Sequence, residues 1–296
     1  MNLCIYGTRP EEIKLYPFTK YDGFEFLEVN QSKDLHQGLI KPDGQCSEEN
    51  LEEFLRWADI KNRYDKIIVQ GDTRTAFRAA VFAYEQGVPV VHIEAGLRTH
   101  DLYSPHPEEG YRMMIDQIST YKFCSTREAV KNCNGIYVGQ TSIDTLFEFL
   151  PDAIEEDFYI VTVHRTDPSK VIPTLKKMDS SKLVIFAHPN PIGQELKKHF
   201  DCLEPMNYKE FVKLLARAKG CISDSGGLQE ECCALGKEYI SLRDKSERGH
   251  GETYKRGATE KIVQFVSLSE RIRNGNTIRH QEVCSLPDRK ERLERG

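Results

Sequence analysis

The chain has 296 residues, a net charge of −5, 39% hydrophobic and 29% charged residues. That length is too great for one typical domain and comfortable for two, and the composition is that of a globular protein. The acidic balance lends no support to nucleic-acid binding. The longest apolar runs, about five residues, fall far short of the ~18 that a membrane helix needs, so no membrane partner is expected either.

The opening MNLCIYGTRP lacks a basic region followed by a hydrophobic stretch, and is not read as a signal peptide. The nine cysteines are odd in number and scattered without a CxxC spacing. They read as reduced, buried thiols, and a cytoplasmic protein is expected.

The first strand is expected at Leu3–Tyr6. Gly7 then allows a tight turn, Thr8 suits an N-cap and Pro10 a first helical turn. Such a junction offers backbone N–H groups to an anion, and Arg9 and Lys14 add cations. Without a GxGxxG or Walker sequence, spacing alone favours an ordinary strand–helix turn with surface charges.

Strands follow at Glu25–Val29, Lys66–Gln70, Val88–Ile93 and Lys122–Ser125, with amphipathic stretches at Glu49–Ala58 and Thr75–Gln86. The segment from Gln70 to Glu109 is the most informative. Asp72 and Glu94 each follow an apolar strand, and Glu108 and Glu109 follow a Pro-rich loop. In an open parallel sheet, ligands bind at the carboxyl ends of the strands. Carboxylates crowded there push each other's pKa values apart, so one serves as acid while another serves as base. Taken singly, Asp72 would merely cap the helix starting at Thr73, and Glu94 would pair with Arg98.

A boundary is expected between Ser142 and Asp157, where a short helix, Ser142–Leu150, meets Pro151 and the acidic run Glu155–Asp157. A second series then begins with strands at Tyr159–Val163, Leu183–Ala187, Gly220–Ser223 and Glu238–Ser241, and helices at Tyr208–Ala218 and Gly227–Leu235. Strands alternating with helices indicate an α/β fold. Two Rossmann-like domains facing across a cleft are predicted, one over residues 1–145 and one over 146–296, with the C-terminal tail free to pack back on the first.

His164 and His188 each end a strand of the second series, where Arg165 would help hold a phosphate oxygen. Their separation and the lack of HxxxH spacing argue against a metal site. The segment CISDSGGLQEE is a stronger anion site than the one after the first strand. Asp224 and Ser225 suit a cap, Gly226 and Gly227 let backbone approach a ligand, and a helix from Leu228 points its N-terminus at the cleft. Glu231, one turn in, suits ribose hydroxyls.

These motifs together resemble the UDP-N-acetylglucosamine 2-epimerase family, and its non-hydrolysing branch in particular. The matching pieces are GTRPEEIK (7–14), QGDT (70–73), HIEAGLRT (92–99), DLYSPHPEE (101–109), VGQTSIDTL (138–146), VTVHR (161–165), HPNP (188–191), DSGGLQEE (224–231) and SER (246–248). They stand in the family's order and span nearly the whole chain. The resemblance implies a GT-B-type fold, a homodimer, a UDP-sugar in the cleft, and no metal or nicotinamide cofactor. The implied reaction interconverts UDP-GlcNAc and UDP-ManNAc through elimination of UDP to a 2-acetamidoglucal and its re-addition. It implies catalytic roles for Asp72, Glu94, Glu108 and His164. It implies nucleotide or diphosphate contacts for Arg9, Lys14, His188, Ser225, Gly226, Gly227, Glu231 and Arg248.

The chain departs from the family pattern in places. It is shortened between Arg9 and Asp72 and near the C-terminus. Gln31 is followed by Ser32 where many members carry Gln-His of a regulatory site, so activation by a second substrate molecule is not expected. Gly110-Tyr111-Arg112 follows Glu109, and Glu247-Arg248-Gly249-His250 stands in place of ERPE. The alternatives are a hydrolysing epimerase, a 2-epimerase of a modified UDP-sugar, a GT-B glycosyltransferase and a silent UDP-sugar-binding protein. A transferase would leave the set Asp72, Glu94 and Glu108 unexplained.

Overall fold

The computed structural model describes residues 1–30, 38–243 and 254–273. The Gln31–Ser32 pair, Arg248 with its neighbours and the tail from Pro287 lie outside the described residues.

Two parallel sheets organise the chain. The first holds β1 (Asn2–Tyr6), β2 (Phe24–Asn30), β3 (Gly44–Ser47), β4 (Lys66–Gln70), β5 (Val90–Ile93), β6 (Tyr121–Cys124) and β7 (Ile136–Tyr137), in the order β3-β2-β1-β4-β5-β6-β7. Its helices are α1 (Arg9–Leu15), α2 (Leu51–Trp57), α3 (Ile60–Arg63), α4 (Arg74–Glu85), α5 (Glu108–Ile118), α6 (Arg127–Cys133) and α7 (Thr141–Phe149). The second sheet holds β8 (Glu156–Val163), β9 (Leu183–Ala187), β10 (Cys202–Leu203), β11 (Ala218–Ser223) and β12 (Glu238–Ser241), in the order β10-β9-β8-β11-β12. Its helices are α8 (Pro168–Leu175), α9 (Pro191–Lys197), α10 (Tyr208–Arg217) and α11 (Gly226–Leu235), and α12 (Ala258–Arg273) closes the described chain.

In each sheet the first strand is flanked by strands reached in opposite directions, β2 and β4 beside β1, β9 and β11 beside β8. The crevice between β1 and β4, and that between β8 and β11, are therefore the switch points where a parallel sheet takes a ligand. Apolar residues line both faces of the central strands: β1 and β4 are buried throughout, as expected when helices cover both sides. Ile13 of α1 shares a core with Ile143, Leu146 and residues of the second sheet, which binds the two halves together. Ile262 and Val266 of α12 enter the core beneath the first sheet, and Asp144 accepts the N–H groups of Gly257 and Thr259. No helix among the described residues is long and apolar enough to cross a membrane.

Nine strands lie where the sequence puts them, three of them with the expected bounds and six with shifted ends. Three more, β3, β7 and β10, escape pattern reading because they are edge strands of only two to four residues. The acidic run read as part of a linker supplies the start of β8. Glu156 and Asp157 are exposed there and pair with Arg217 and Lys182. The helix expected from Leu228 begins at Gly226, because Ser225 rather than Asp224 provides the cap.

Candidate active site

At the first switch point, β1 runs through Gly7 into α1. Thr8 holds the N-cap position but its side chain makes no capping bond. Glu11, three residues on, reaches back instead. It accepts from the Gly7 N–H at 2.9 Å, the Thr8 hydroxyl at 2.8 Å and the Thr73 hydroxyl at 2.6 Å. This buried carboxylate thus ties the β1–α1 turn to the β4–α4 turn. Burial pushes it above its ordinary pKa against the pull of those bonds. Sequence reasoning passed over Glu11, although Thr8-Arg9-Pro10-Glu11 has the spacing of a capping box.

Asp72 does not cap α4; Thr73 does, accepting from the Ala76 N–H at 3.0 Å. The Asp72 carboxylate is therefore available to Arg112 of α5, which donates to it. Gly71, at φ +70°, makes the turn that aims it. Burial pushes Asp72 up, Arg112 pulls it down, Glu94 adds to the rise, and the net direction is upward. Asp72 and Glu94 thus stand within electrostatic reach of each other.

Glu94 follows β5 at φ +66°, a left-handed conformation uncommon for a residue with a side chain. Such strain persists where the surroundings over-determine it. Three donors converge on its carboxylate: Lys14 and Gln70 on Oε2, each at 2.5 Å, and Gln140 on Oε1 at 2.9 Å. The expected pairing with Arg98 does not form. Arg98 goes to Asp116 at 2.6 Å. Asp116, fully buried, also accepts from the Gly96 N–H and lies 2.7 Å from His92 Nδ1, while His92 Nε2 donates to the Gly71 carbonyl at 2.8 Å. Burial opposes its charge, but His92 and Arg98 outweigh burial and hold Asp116 below its ordinary pKa. Buried polar groups of this kind braces the Gly71 turn and the loop after Glu94 together.

Glu108 opens α5, and its Oε2 is buried without a hydrogen-bond partner among the described residues. Glu109 Oε2 is likewise without a hydrogen-bond partner among the described residues, but its Oε1 accepts the N–H groups of Thr99 and His100 at 3.0 and 3.1 Å and so anchors the preceding loop.

At the second switch point, His164 follows β8 and Asp224 follows β11. Asp224 accepts the N–H groups of His164, Arg165 and Thr166 at 3.0, 2.8 and 2.8 Å, and the Thr166 hydroxyl at 3.0 Å. Burial works against its charge, yet these donors hold its pKa below the ordinary value. Read from sequence as a cap, Asp224 in fact shapes the His164 loop. Burial lowers the pKa of His164, Asp224 opposes this, and His188 and Arg165 add to the fall. The His164 and His188 rings meet edge to face with centroids 5.0 Å apart. Gly193 allows α9 to press on His188; a Cβ there would lie 1.8 Å from the His188 carbonyl oxygen.

The N-terminus of α11 is capped by Ser225 and begins with Gly226 and Gly227. Glu231 is buried, accepts from the Tyr208 hydroxyl at 2.7 Å, and is pushed up to about 7 by burial. Arg9 and Lys14 oppose that rise.

Between the halves lies a cleft of about 330 Å³. Arg9, Lys14, His164, His188, Ser225, Gly227 and Glu231 supply its polar lining; Ile13, Phe186, Met206, Phe211 and Leu228 supply apolar walls. Cations, a helix N-terminus and two imidazoles facing one cleft suit an anionic ligand with a flat or ribosyl group. Asp72, Glu94, Glu108 and Gly226 do not line this cleft, but Lys14 does, and it carries the contact to Glu94.

The family model described as UDP-N-acetylglucosamine 2-epimerase matches residues 48–267. The chain is 30% identical over 306 residues to the UDP-N-acetylglucosamine 2-epimerase of Bacillus subtilis (strain 168), an alignment covering 84% of this chain and 80% of that one. It is 29% identical over 313 residues to the Neisseria meningitidis protein of the same name, covering 83% of each. The crystal structure of the Neisseria meningitidis UDP-GlcNAc 2-epimerase bound to UDP-GlcNAc superimposes with a TM-score of 0.71 at 28% identity, over 91% of this chain and 92% of that one. The Methanocaldococcus jannaschii enzyme in complex with UDP-GlcNAc and UDP gives 0.70 at 27% identity, over 90% and 92%.

Proposed function

Since the chain belongs to the UDP-N-acetylglucosamine 2-epimerase family, we propose that it interconverts UDP-GlcNAc and UDP-ManNAc without releasing the free sugar. The observation that carries this reading is Lys14. It lines the anion-suited cleft and holds Glu94, so the leaving-group pocket and the carboxylates meet at one side chain.

The chemistry asks for such a junction. The C2 proton of the sugar is not acidic, and its loss is assisted by departure of UDP from C1. The C2–H electron pair forms the C1–C2 double bond, the C1–O pair leaves with UDP, and a carboxylate takes the proton. Reversal with protonation on the opposite face of C2 completes the inversion. Donors on the diphosphate stabilise its departure. Proton exchange on two faces requires more than one acid–base group. Asp72, Glu94 and Glu108 are proposed for that exchange, and His164 for the diphosphate. Arg9, Lys14, His188, Ser225, Gly226 and Gly227 are proposed to hold the nucleotide phosphates, and Glu231 the ribose. Arg248 is proposed as a further nucleotide contact on the family resemblance alone. The same resemblance supports a cytoplasmic homodimer serving polysaccharide biosynthesis, with halves dividing near residue 145.

Proton NMR of UDP-GlcNAc incubated with the protein in D2O tests the reading. UDP-ManNAc carrying deuterium at C2 is the expected product. Free ManNAc and UDP would assign the hydrolysing reaction instead. An unchanged spectrum with UDP bound would overturn UDP-GlcNAc as the substrate.

A further inference from the structure

The chain leaves the first sheet through Gly139 and Gln140, and α7 then carries it to the second. Gln140 occupies the N-cap position of α7, yet its side chain makes no capping bond. Its amide Nε2 donates instead to two carboxylates from different halves of the molecule. One is Glu94 Oε1 at 2.9 Å, beyond β5; the other is Glu230 Oε2 at 3.0 Å, in α11. All three side chains are buried: Gln140 is 1%, Glu230 0% and Glu94 7% exposed. A side-chain amide has two N–H protons, one for each acceptor. Two carboxylates drawn to one amide would otherwise repel, and low surrounding polarity strengthens both the repulsion and its relief.

We infer that Gln140 is a positioning residue that couples the nucleotide-binding helix to the reacting carboxylate. The inference rests on the proposed function of Glu94 and α11. Lys14 and Gln70 fix one oxygen of Glu94, and Gln140 fixes the other. Glu230 rides on α11, two turns at most from the residues proposed to hold the diphosphate. A displacement of α11 on nucleotide binding is therefore passed through one amide to the orientation of Glu94. Gln140 itself does not line the cleft, so its effect falls on the chemical step rather than on nucleotide affinity.

The test compares Gln140→Leu and Gln140→Asn with the parent protein. Turnover of UDP-GlcNAc, C2 deuterium incorporation in D2O, UDP affinity by calorimetry, and thermal unfolding are measured for each. Gln140→Leu removes both donors at similar size, and kcat is expected to fall at least 10-fold with UDP Kd within twofold of the parent. Gln140→Asn, one methylene shorter but still a neutral amide, is expected to lie between the two and carries the test if the leucine variant does not fold. Parental kcat in a folded variant would overturn the coupling, as would a loss of UDP affinity matching the loss of kcat. An inactive parent protein would overturn the proposed function, and this inference with it, before any variant is compared.

Discussion

Arg112, in the second turn of α5, donates to the Asp72 carboxylate at the end of β4 and stands 3.4 Å from Glu109. Arg112 is only 4% exposed, so a buried cation sits between two carboxylates that sequence order separates. Its charge opposes the rise that burial imposes on Asp72. Arg112→Met removes that opposition, and the Asp72 pKa is expected to rise further. The limb of the kcat–pH profile assigned to Asp72 by its proposed role should then move to higher pH. Coincident profiles for parent and variant would dissociate Arg112 from the group proposed to transfer the proton.

Asp72→Asn removes the carboxylate while keeping its shape. Epimerisation is expected to fall by roughly 10²-fold or more, the usual scale for a lost acid–base group. UDP Kd should stay within twofold, because Asp72 does not line the cleft. Initial-rate kinetics and calorimetry on the same preparation check both halves of this expectation.

Glu231 is pushed from its ordinary 4.5 up to about 7. The folded chain therefore binds more protons than the unfolded chain between those values, and Glu231 costs stability as pH rises through that window. In the ribose contact proposed for Glu231, ligand binding runs the other way, since only an ionised carboxylate accepts two hydroxyls at full strength. UDP affinity is expected to increase from pH 6 to pH 8, and Glu231→Gln to flatten that dependence. Glu231→Ala should raise Kd or KM with little change in kcat. Titration calorimetry across pH on all three proteins decides it, and the glutamine variant removes the ligand's own titration from the comparison.

Asp224 holds the His164 loop through three backbone N–H groups. Asp224→Ala leaves those donors without their acceptor and is expected to cost about 1–3 kcal/mol. The pKa of this carboxyl is lowered in the folded chain. Its contribution is thus present above its ordinary value of 3.8 and is lost as pH falls through the folded value. Denaturant unfolding should show the parent–variant gap at pH 7 narrowing toward pH 3. A gap that does not depend on pH would deny the charge any part in the loop.

Much of this protein was readable from local pattern. Apolar runs of strand length alternating with amphipathic helices determine two parallel α/β units, because both periods are set by neighbours in sequence. The placement of Asp72 after β4, Glu94 after β5 and Gly226–Gly227 at the start of α11 was legible for the same reason. β3 is short and mostly polar and β10 only two residues long, so neither holds enough alternating residues to leave a signal.

What the tertiary structure alone decided is who pairs with whom. Glu94 has Arg98 four residues away, yet it takes Lys14, 80 residues distant, and Gln140, 46 residues distant. Asp224 stands beside its helix, yet it serves a loop about 60 residues earlier. The reason is physical. A buried charge is satisfied by whichever donor the strand order brings next to it, and strand order inverts at the switch points without any mark in the local sequence. The sequence determined which chemical groups the strand ends carry; the fold decided which of them meet.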